Sequence, residues 1–194
     1  MPESQDSPLP FNVPEDINTE LQQCMHYHIG LSKAVLYALG DFTEADLKTV
    51  CAEIQDTYSR NILHNPSDAM EFLCPARNWA ALTHLNMRDL VRYHVLEFDK
   101  GWKDSAGNNQ GDLDWYPFGL AVLVSRDWRH DGVVLVHCDD IHDDGKFRAD
   151  SCVLPVDEMG LYFTSLLFGD EEFAEIKALA PGLWEWEDRE ETSD

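Results

Sequence analysis

The sequence has few basic residues: 14 Lys and Arg stand against 37 Asp and Glu, which gives a formal net charge of -23. Residues 1–32 contain no Lys or Arg at all. Because nucleic-acid phosphates are bound by Lys and Arg, this composition argues against nucleic-acid binding as the default function. An acidic surface of this kind attracts basic partners. A non-catalytic acidic protein that binds a basic partner is therefore one hypothesis.

Long apolar runs are also absent. No run approaches the roughly 20 residues that a membrane-spanning helix needs, and residues 1–14 lack the basic and apolar regions of a secretory signal. The cysteines are odd in number and include no CxxC pair, which favours reduced thiols inside the cell. These cysteines are Cys24, Cys51, Cys74, Cys138 and Cys152. We expect a cytoplasmic protein that does not bind membranes.

Common catalytic motifs are missing too. The sequence contains no glycine-rich phosphate loop, no H-E-x-x-H motif and no G-x-S-x-G element. Ser125 follows an apolar strand and could serve as a nucleophile, but the residues around it are not those of a nucleophile elbow. We interpret Ser125 as a turn residue at a strand end.

The clearest structural pattern is a helix after residue 43. Thr43 and Asp46 resemble a capping box with Asp in place of Glu. The residues that follow place an apolar stripe on one helix face: Leu47, Val50, Cys51, Ile54 and Tyr58. Further helices are expected from Ile17 to Gly30, over 86–95 with Thr83 as cap, after Pro155, and from Asp170 to Pro181.

Apolar strands are expected at 33–39, 118–125, 133–138 and 147–153. The links between the last three are too short for parallel crossovers, which need about a dozen residues, so these strands should form an antiparallel meander. The predicted fold class is α/β or α+β, with a mixed β-sheet covered by about five helices. We expect a flexible N-terminal segment (1–14), one globular domain (15–184) and an acidic C-terminal tail (185–194).

The stretch 133–148 carries the functional argument. The apolar run Val133–Val136 leads into four aspartates and two histidines between His137 and Asp144. Carboxylates crowded at the end of a buried strand are costly unless they bind something, because like charges repel and burial disfavours ionisation. Ligand sites cluster at strand ends in open sheets, so Asp139 and Asp140 are the first candidates.

Several ligands suit an acidic stretch. Residues 139–143 match a DDxxD magnesium motif, but that motif works on a helix and this one follows a strand. As a calcium loop starting at Asp140, the stretch has His142 at the third position, where an oxygen ligand is needed, and Ser151 at the twelfth, where Glu is needed. Two interpretations remain open. The first is a carboxylate pocket for a cationic substrate, with His137 or a neighbouring carboxylate as general base. The second is a solvated Asp-rich turn.

A second candidate surface is the only sizeable net-positive stretch, Arg77 to Lys103. Arg88 and Arg92 lie one turn apart on the predicted helix and should face outward together. An ordinary solvated helix face is the simpler interpretation. Contact with an anionic partner is the alternative.

Two resemblances follow from these patterns. The segments Val35–Val50, 119–138 and Leu167–Glu175 are similar to a family of small uncharacterised α/β proteins over about residues 33–180, outside the 100–115 loop. Asp139-Asp140-Ile-His-Asp143 resembles the DDxxE motif of the fungal arginine-containing cyclodipeptide synthases, with Asp143 in place of Glu. Those short enzymes join arginine with a second amino acid into a diketopiperazine, using aminoacyl-tRNAs.

The second resemblance implies a set of residue roles. Asp139, Asp140 and Asp143 would be the essential acids. Beside them, His137 remains a catalytic candidate from the carboxylate-pocket interpretation, and the neighbouring His142 is a substrate-binding candidate. The remaining substrate-binding candidates, for tRNA phosphates, are Arg88, Arg92, Lys100 and Lys103. The implied partners are arginyl-tRNA and a second aminoacyl-tRNA. No metal or organic cofactor is implied.

Overall fold

The computed structural model describes residues 10–25, 33–61, 71–97, 115–141, 146–169 and 172–180. At positions 61, 140 and 141 only the backbone is described. Predictions for Gly30, Asp170 and the 185–194 tail lie outside these residues.

A six-stranded mixed sheet forms the centre of the described chain. Its strands are β1 (Phe11–Asn12), β2 (Ala34–Ala38), β3 (Leu73–Pro75), β4 (Gly119–Leu123), β5 (Val133–Ile141) and β6 (Lys146–Leu154). The strand order is β1-β6-β5-β4-β2-β3. Strand β2 runs parallel to β3 and β4, whereas β4, β5 and β6 pair antiparallel in succession. This succession is the predicted meander.

Seven helices are present in the described part of the chain. They are α1 (Glu15–Cys24), α2 (Glu44–Asn61), α3 (Trp79–Leu82), α4 (Met87–Leu96), α5 (Trp128–Asp131), α6 (Val156–Phe168) and α7 (Phe173–Leu179). The mixed α/β class is confirmed, with two short helices, α3 and α5, beyond the expected number. None of these helices is long and apolar enough to cross a bilayer.

Helices α2, α6 and α7 cover the first face of the sheet, which carries His137, Asp139, Arg148 and Asp150. Successive strand residues alternate between faces, and the register pairs His137 with Asp150 and Asp139 with Arg148. Phe173 of α7 stacks on His137. Helix α6 packs closely on α2, since a Cβ added at Gly160 would lie 2.7 Å from a Tyr58 carbon.

Helices α1 and α4 cover the second face, which carries Tyr37, Cys138 and Phe147. His94 of α4 is hydrogen-bonded to the Tyr37 hydroxyl at 2.9 Å. Asn18 of α1 accepts a hydrogen bond from the Phe147 amide at 2.9 Å. The two faces are therefore covered by separate helical layers, and this separation decides which predicted residues can meet.

The predicted helix start at Thr43 is confirmed: Asp46 accepts from the Thr43 amide and hydroxyl at 2.7 Å, and Thr43 accepts from the Asp46 amide at 3.2 Å.

Four boundaries of helices and strands differ from prediction. Asn86, not Thr83, caps α4, accepting from Asp89. Glu172 caps α7. Phe11–Asn12, expected in the flexible segment, pairs with β6. Strand β5 runs to Ile141, because pairing with β6 continues past the apolar run.

Candidate functional site

A pocket opens where β5, β6 and α7 meet on the first face. Its volume is about 320 Å³. Its lining combines acidic, basic and apolar side chains: Asp139, Arg148, Asp150, Phe173, Ala174 and Lys177. Groups of both charge signs in one cavity suit a ligand that is itself cationic at one place and anionic at another.

The strand register explains how the pocket is built. Asp139 lies opposite Arg148, and His137 lies opposite Asp150, so four polar side chains occupy adjacent positions of one face. On β6, residues 146 and 148 are exposed whereas 147 and 149 are buried. This alternation is typical of a strand with one covered face. Here it carries the charged residues to the face beneath α7.

An ion pair fixes α7 over the pocket. The Lys177 ammonium lies 2.8 and 2.7 Å from the two carboxylate oxygens of Asp150. Both side chains are partly shielded, with 29% and 24% of their surface exposed. Because partial burial reduces screening, this pair holds more firmly than one in open solvent. Buried Phe173 and Ile176 complete the attachment of the helix.

His137 lies next to the pocket rather than on its wall. Its ring stacks between two aromatic rings, with centroids 5.2 Å from Phe173 and 6.1 Å from Tyr116. Its Nε2 is hydrogen-bonded to the Tyr116 hydroxyl at 3.0 Å. Its Nδ1 is buried and has no hydrogen-bond partner among the residues that the structure describes. Burial lowers the pKa of His137 to about 4, so the imidazole is neutral at pH 7.

A glycine makes the contact between Tyr116 and His137 sterically feasible. A Cβ at Gly119 would lie 2.9 Å from a Tyr116 ring carbon and 3.4 Å from a His137 ring carbon. The first of these distances is shorter than van der Waals contact. Gly119 therefore leaves the space in which the two rings meet.

The Tyr116 hydroxyl keeps its proton at all ordinary pH values. Burial, then the nearby Cys138 and Asp139, raise the pKa of Tyr116 well above its usual range. Burial first and Asp139 second also raise the pKa of Cys138 to about 12. A thiol that stays protonated is a poor nucleophile, so the described site offers a carboxylate and an imidazole rather than a thiolate.

The predicted acids are only partly described. Asp139 is exposed at the pocket. Asp140 pairs in register with Phe147, and its side chain is not described. Asp143 and His142 lie outside the described residues, as do Lys100 and Lys103.

The arginines predicted to contact tRNA phosphates do not lie near Asp139. Arg88 of α4 lies over the Phe11 ring, 5.0 Å from its centroid. Arg92 forms an ion pair with Asp16 of α1 at 2.5 Å. Both arginines belong to the helical layer of the second face, whereas Asp139 lies on the first face. The cations that the fold places beside Asp139 are Arg148 and Lys177.

The opposite edge of the sheet, where β2 and β4 end, contains Ser125. Its hydroxyl donates to the Asp131 carboxylate and accepts from the Asp127 amide. His130 contacts the same carboxylate through Nδ1 at 3.0 Å. The group that contacts the hydroxyl is therefore the Asp131 carboxylate, and the His130 imidazole reaches only the other oxygen of that carboxylate. The hydrogen bond from the Asp127 amide, two residues along the chain, is typical of a turn residue and agrees with the interpretation of Ser125 as one.

Within the described residues, no group of three or more His, Cys, Asp and Glu side chains is placed to hold a metal ion. Comparison of the chain with models of protein families, with curated proteins and with solved structures finds no match.

Proposed function

We propose that this chain is a tRNA-dependent cyclodipeptide synthase that joins arginine to a second amino acid in the pocket between β5, β6 and α7. One observation supports the proposal above the others. Asp139, the first acid of the DDxxE-like motif, lines a 320 Å³ pocket that also contains Arg148 and Lys177. A pocket with both charge signs suits an aminoacyl-tRNA end, which carries a cationic amino acid next to anionic phosphates.

In this proposal Asp139 binds the cationic part of the substrate. A carboxylate pairs with a planar guanidinium through two charge-assisted hydrogen bonds, which gives both strength and orientation. The Phe173 ring supplies an apolar wall for the methylene chain of arginine. Arg148 and Lys177 take the role of phosphate contacts that the resemblance assigns to Arg88, Arg92, Lys100 and Lys103.

The reaction needs no oxidant or energy source beyond its substrates. The amine of one aminoacyl group, having lost a proton to a carboxylate, attacks the ester carbonyl of the other. A C–N bond forms, the C–O ester bond breaks, and the departing tRNA 3′-oxygen takes up a proton. A second attack of the same kind closes the six-membered ring and releases the second tRNA. Binding both esters side by side accounts for much of the acceleration.

The proposal is tested by a product search. The purified chain is incubated with arginyl-tRNA and a mixture of other aminoacyl-tRNAs, and cyclic arginine dipeptides are sought by mass spectrometry. Asp139→Asn should lower the yield at least about a hundredfold if the carboxylate orients the substrate. Asp140→Ala tests the second acid of the motif.

Asp41→Asn is the matched control. Asp41 is fully exposed and pairs with Arg126 at the opposite edge of the sheet, so the same change of charge there should leave the yield unaltered. Absence of a cyclic product from wild-type protein, or equal yields from Asp139→Asn and wild type, would contradict the proposal.

A net charge of -23 favours a second candidate, an acidic protein that binds a basic partner. This candidate predicts complexes that dissociate as salt is raised, because exposed charges are screened. It also predicts that Asp41→Asn and Asp139→Asn weaken binding equally, since each removes one surface charge. A loss confined to Asp139→Asn would instead favour the pocket.

A further inference from the structure

Within the described part of the chain, the hydrogen bonds of His137 leave one of its ring nitrogens, Nδ1, without a partner. The Tyr116 hydroxyl has a single partner among the described residues, His137 Nε2 at 3.0 Å. Either tautomer leaves one buried donor without an acceptor, the hydroxyl or Nδ1–H, so the strengths of the groups decide. A phenol hydroxyl is a stronger donor than a neutral imidazole N–H, and an imidazole nitrogen is a stronger acceptor than a phenol oxygen. The hydroxyl therefore donates to Nε2, and the imidazole proton lies on Nδ1.

This tautomer makes Nδ1 a buried N–H donor without an acceptor. Buried donors are nearly always satisfied, and each exception calls for a physical reason. The imidazole is 8% exposed, and it remains neutral at pH 7 because burial lowers its pKa. A neutral donor of this kind does not take up the proton of an ammonium. It can stabilise an oxygen on which negative charge develops.

The unused donor lies next to the pocket. Asp150, the register partner of His137, lines it, and Asp139 follows two residues along the same face. Phe173 contacts both regions, since its ring stacks on the imidazole at an interplanar angle of 21° and also lines the pocket. Phe173 is therefore the side chain that both packs on the imidazole and borders the pocket.

We propose that His137 Nδ1–H donates a hydrogen bond to the acyl carbonyl oxygen of a substrate bound at Asp139, which reaches the imidazole when the Phe173 ring packed on it shifts. The inference rests on the proposed function and gives His137 a different role from the general base that its sequence position suggested. Attack on an ester carbonyl places negative charge on its oxygen, and a fixed donor stabilises that oxyanion. When the C–O bond breaks, the charge leaves with the tRNA 3′-oxygen and the donor keeps its proton.

Two unreactive probes test the contact. Argininamide carries a guanidinium, an amine and a carbonyl oxygen, whereas agmatine carries the same cationic groups without the carbonyl. Each is titrated into protein with ¹⁵N-labelled histidine, and the His137 resonances are followed by NMR. Argininamide should shift the Nδ1 resonance of His137, and this shift should require Asp139. Agmatine should bind without causing the shift.

Variants at the donor extend the test to turnover. His137→Gln keeps an N–H donor, while His137→Phe keeps the ring and removes the donor. His137→Phe should form product about a hundredfold more slowly than wild type, and His137→Gln should recover part of the rate at unchanged substrate affinity. Circular dichroism of both variants separates loss of the donor from loss of folding.

The outcomes distinguish the inference from the proposed function. Argininamide binding that requires Asp139 but leaves Nδ1 unshifted overturns the inference, as do equal shifts with both probes. Product formation under those results would retain the synthase with a different oxyanion donor. Failure of both probes to bind also overturns the inference, and the product search then decides the function separately.

Discussion

Two buried histidines on opposite faces of one sheet show how similar burial can serve different ends. His94 on the second face has both ring nitrogens occupied, by the Tyr37 hydroxyl and by the Tyr116 carbonyl, each at 2.9 Å. His137 on the first face has one nitrogen occupied and one that has no partner in the described ranges. Burial lowers the pKa of both to about 4. The two histidines therefore do not differ in pKa, but they differ in the number of ring nitrogens that have a hydrogen-bond partner.

The hydrogen-bond partners also assign opposite tautomers to the two residues. The carbonyl of Tyr116 can only accept, so His94 donates from Nε2 and accepts the Tyr37 hydroxyl hydrogen at Nδ1. His137 accepts at Nε2 and holds its proton on Nδ1. A histidine with both nitrogens paired stabilises the fold by joining elements. One with an unused donor beside a cavity is a candidate for binding substrate.

The largest expected effect is a loss of folding stability at acidic pH, to which the two histidines should contribute equally. Above pH 6.5 both are neutral in the folded and the unfolded chain. Between pH 6.5 and 4 the unfolded chain binds protons that the folded chain does not, so stability falls as the pH falls. Each histidine should lower the free energy of unfolding by about 3 kcal/mol across this window. Urea unfolding at several pH values measures the slope, and His94→Phe and His137→Phe should each remove about half of the histidine contribution. A slope that His137→Phe leaves unchanged would mean that its imidazole is hydrated.

A second experiment separates the histidines at pH 7.5, where neither titrates. His94→Phe leaves a buried hydroxyl and a buried carbonyl without partners and should cost about 2–6 kcal/mol. His137→Phe leaves only the Tyr116 hydroxyl unpaired and removes an unsatisfied donor, so its cost should be about 0–2 kcal/mol. Urea denaturation midpoints at constant slope give both values. Equal losses would show that His137 is as fully bonded as His94.

The smallest expected effect concerns the glycine beside His137. Gly119→Ala places a methyl group 2.9 Å from the Tyr116 ring, and moving that ring should cost about 1–3 kcal/mol. The His137 imidazole should lose its hydroxyl partner, which NMR would report as a change at Nε2, while His94 Nδ1 stays bonded to Tyr37. Gly169→Asn is the control, because a side chain there meets nothing within 4 Å and Asn tolerates its positive φ. A change at His94 Nδ1 equal to that at His137 would remove the distinction between the faces.

Local patterns in the sequence predicted the elements well. The Thr43–Asp46 capping box and the meander of 118–153 depend on contacts between near neighbours, and both are present in the structure. The end of β5 was predicted too early, because an apolar run reveals only the buried part of a strand. Strand β5 continues to Ile141 because β6 pairs with it along this whole length.

The candidate site was predictable only in part. His137 and Asp139 follow from the acidic stretch, but Phe173 and Lys177 reach the pocket through helix packing that no local pattern encodes. Arg148 could have been found, since it alternates with the buried residues 147 and 149. The rule for strand ends in open sheets applies to parallel strands. Strand β5 is antiparallel to β4, so Asp139 lies at the edge where β2 begins.

Tyr116 connects the two sides of the molecule through a single residue. Its backbone carbonyl accepts from His94 while its side chain reaches His137, so a displacement of this residue alters both bonding patterns at once. Substitutions among the helices that cover the far side of the sheet can thus alter the hydrogen bonding of His137 without touching the walls of the cavity. A screen for residues that tune ligand binding should sample that distant layer as densely as the pocket itself.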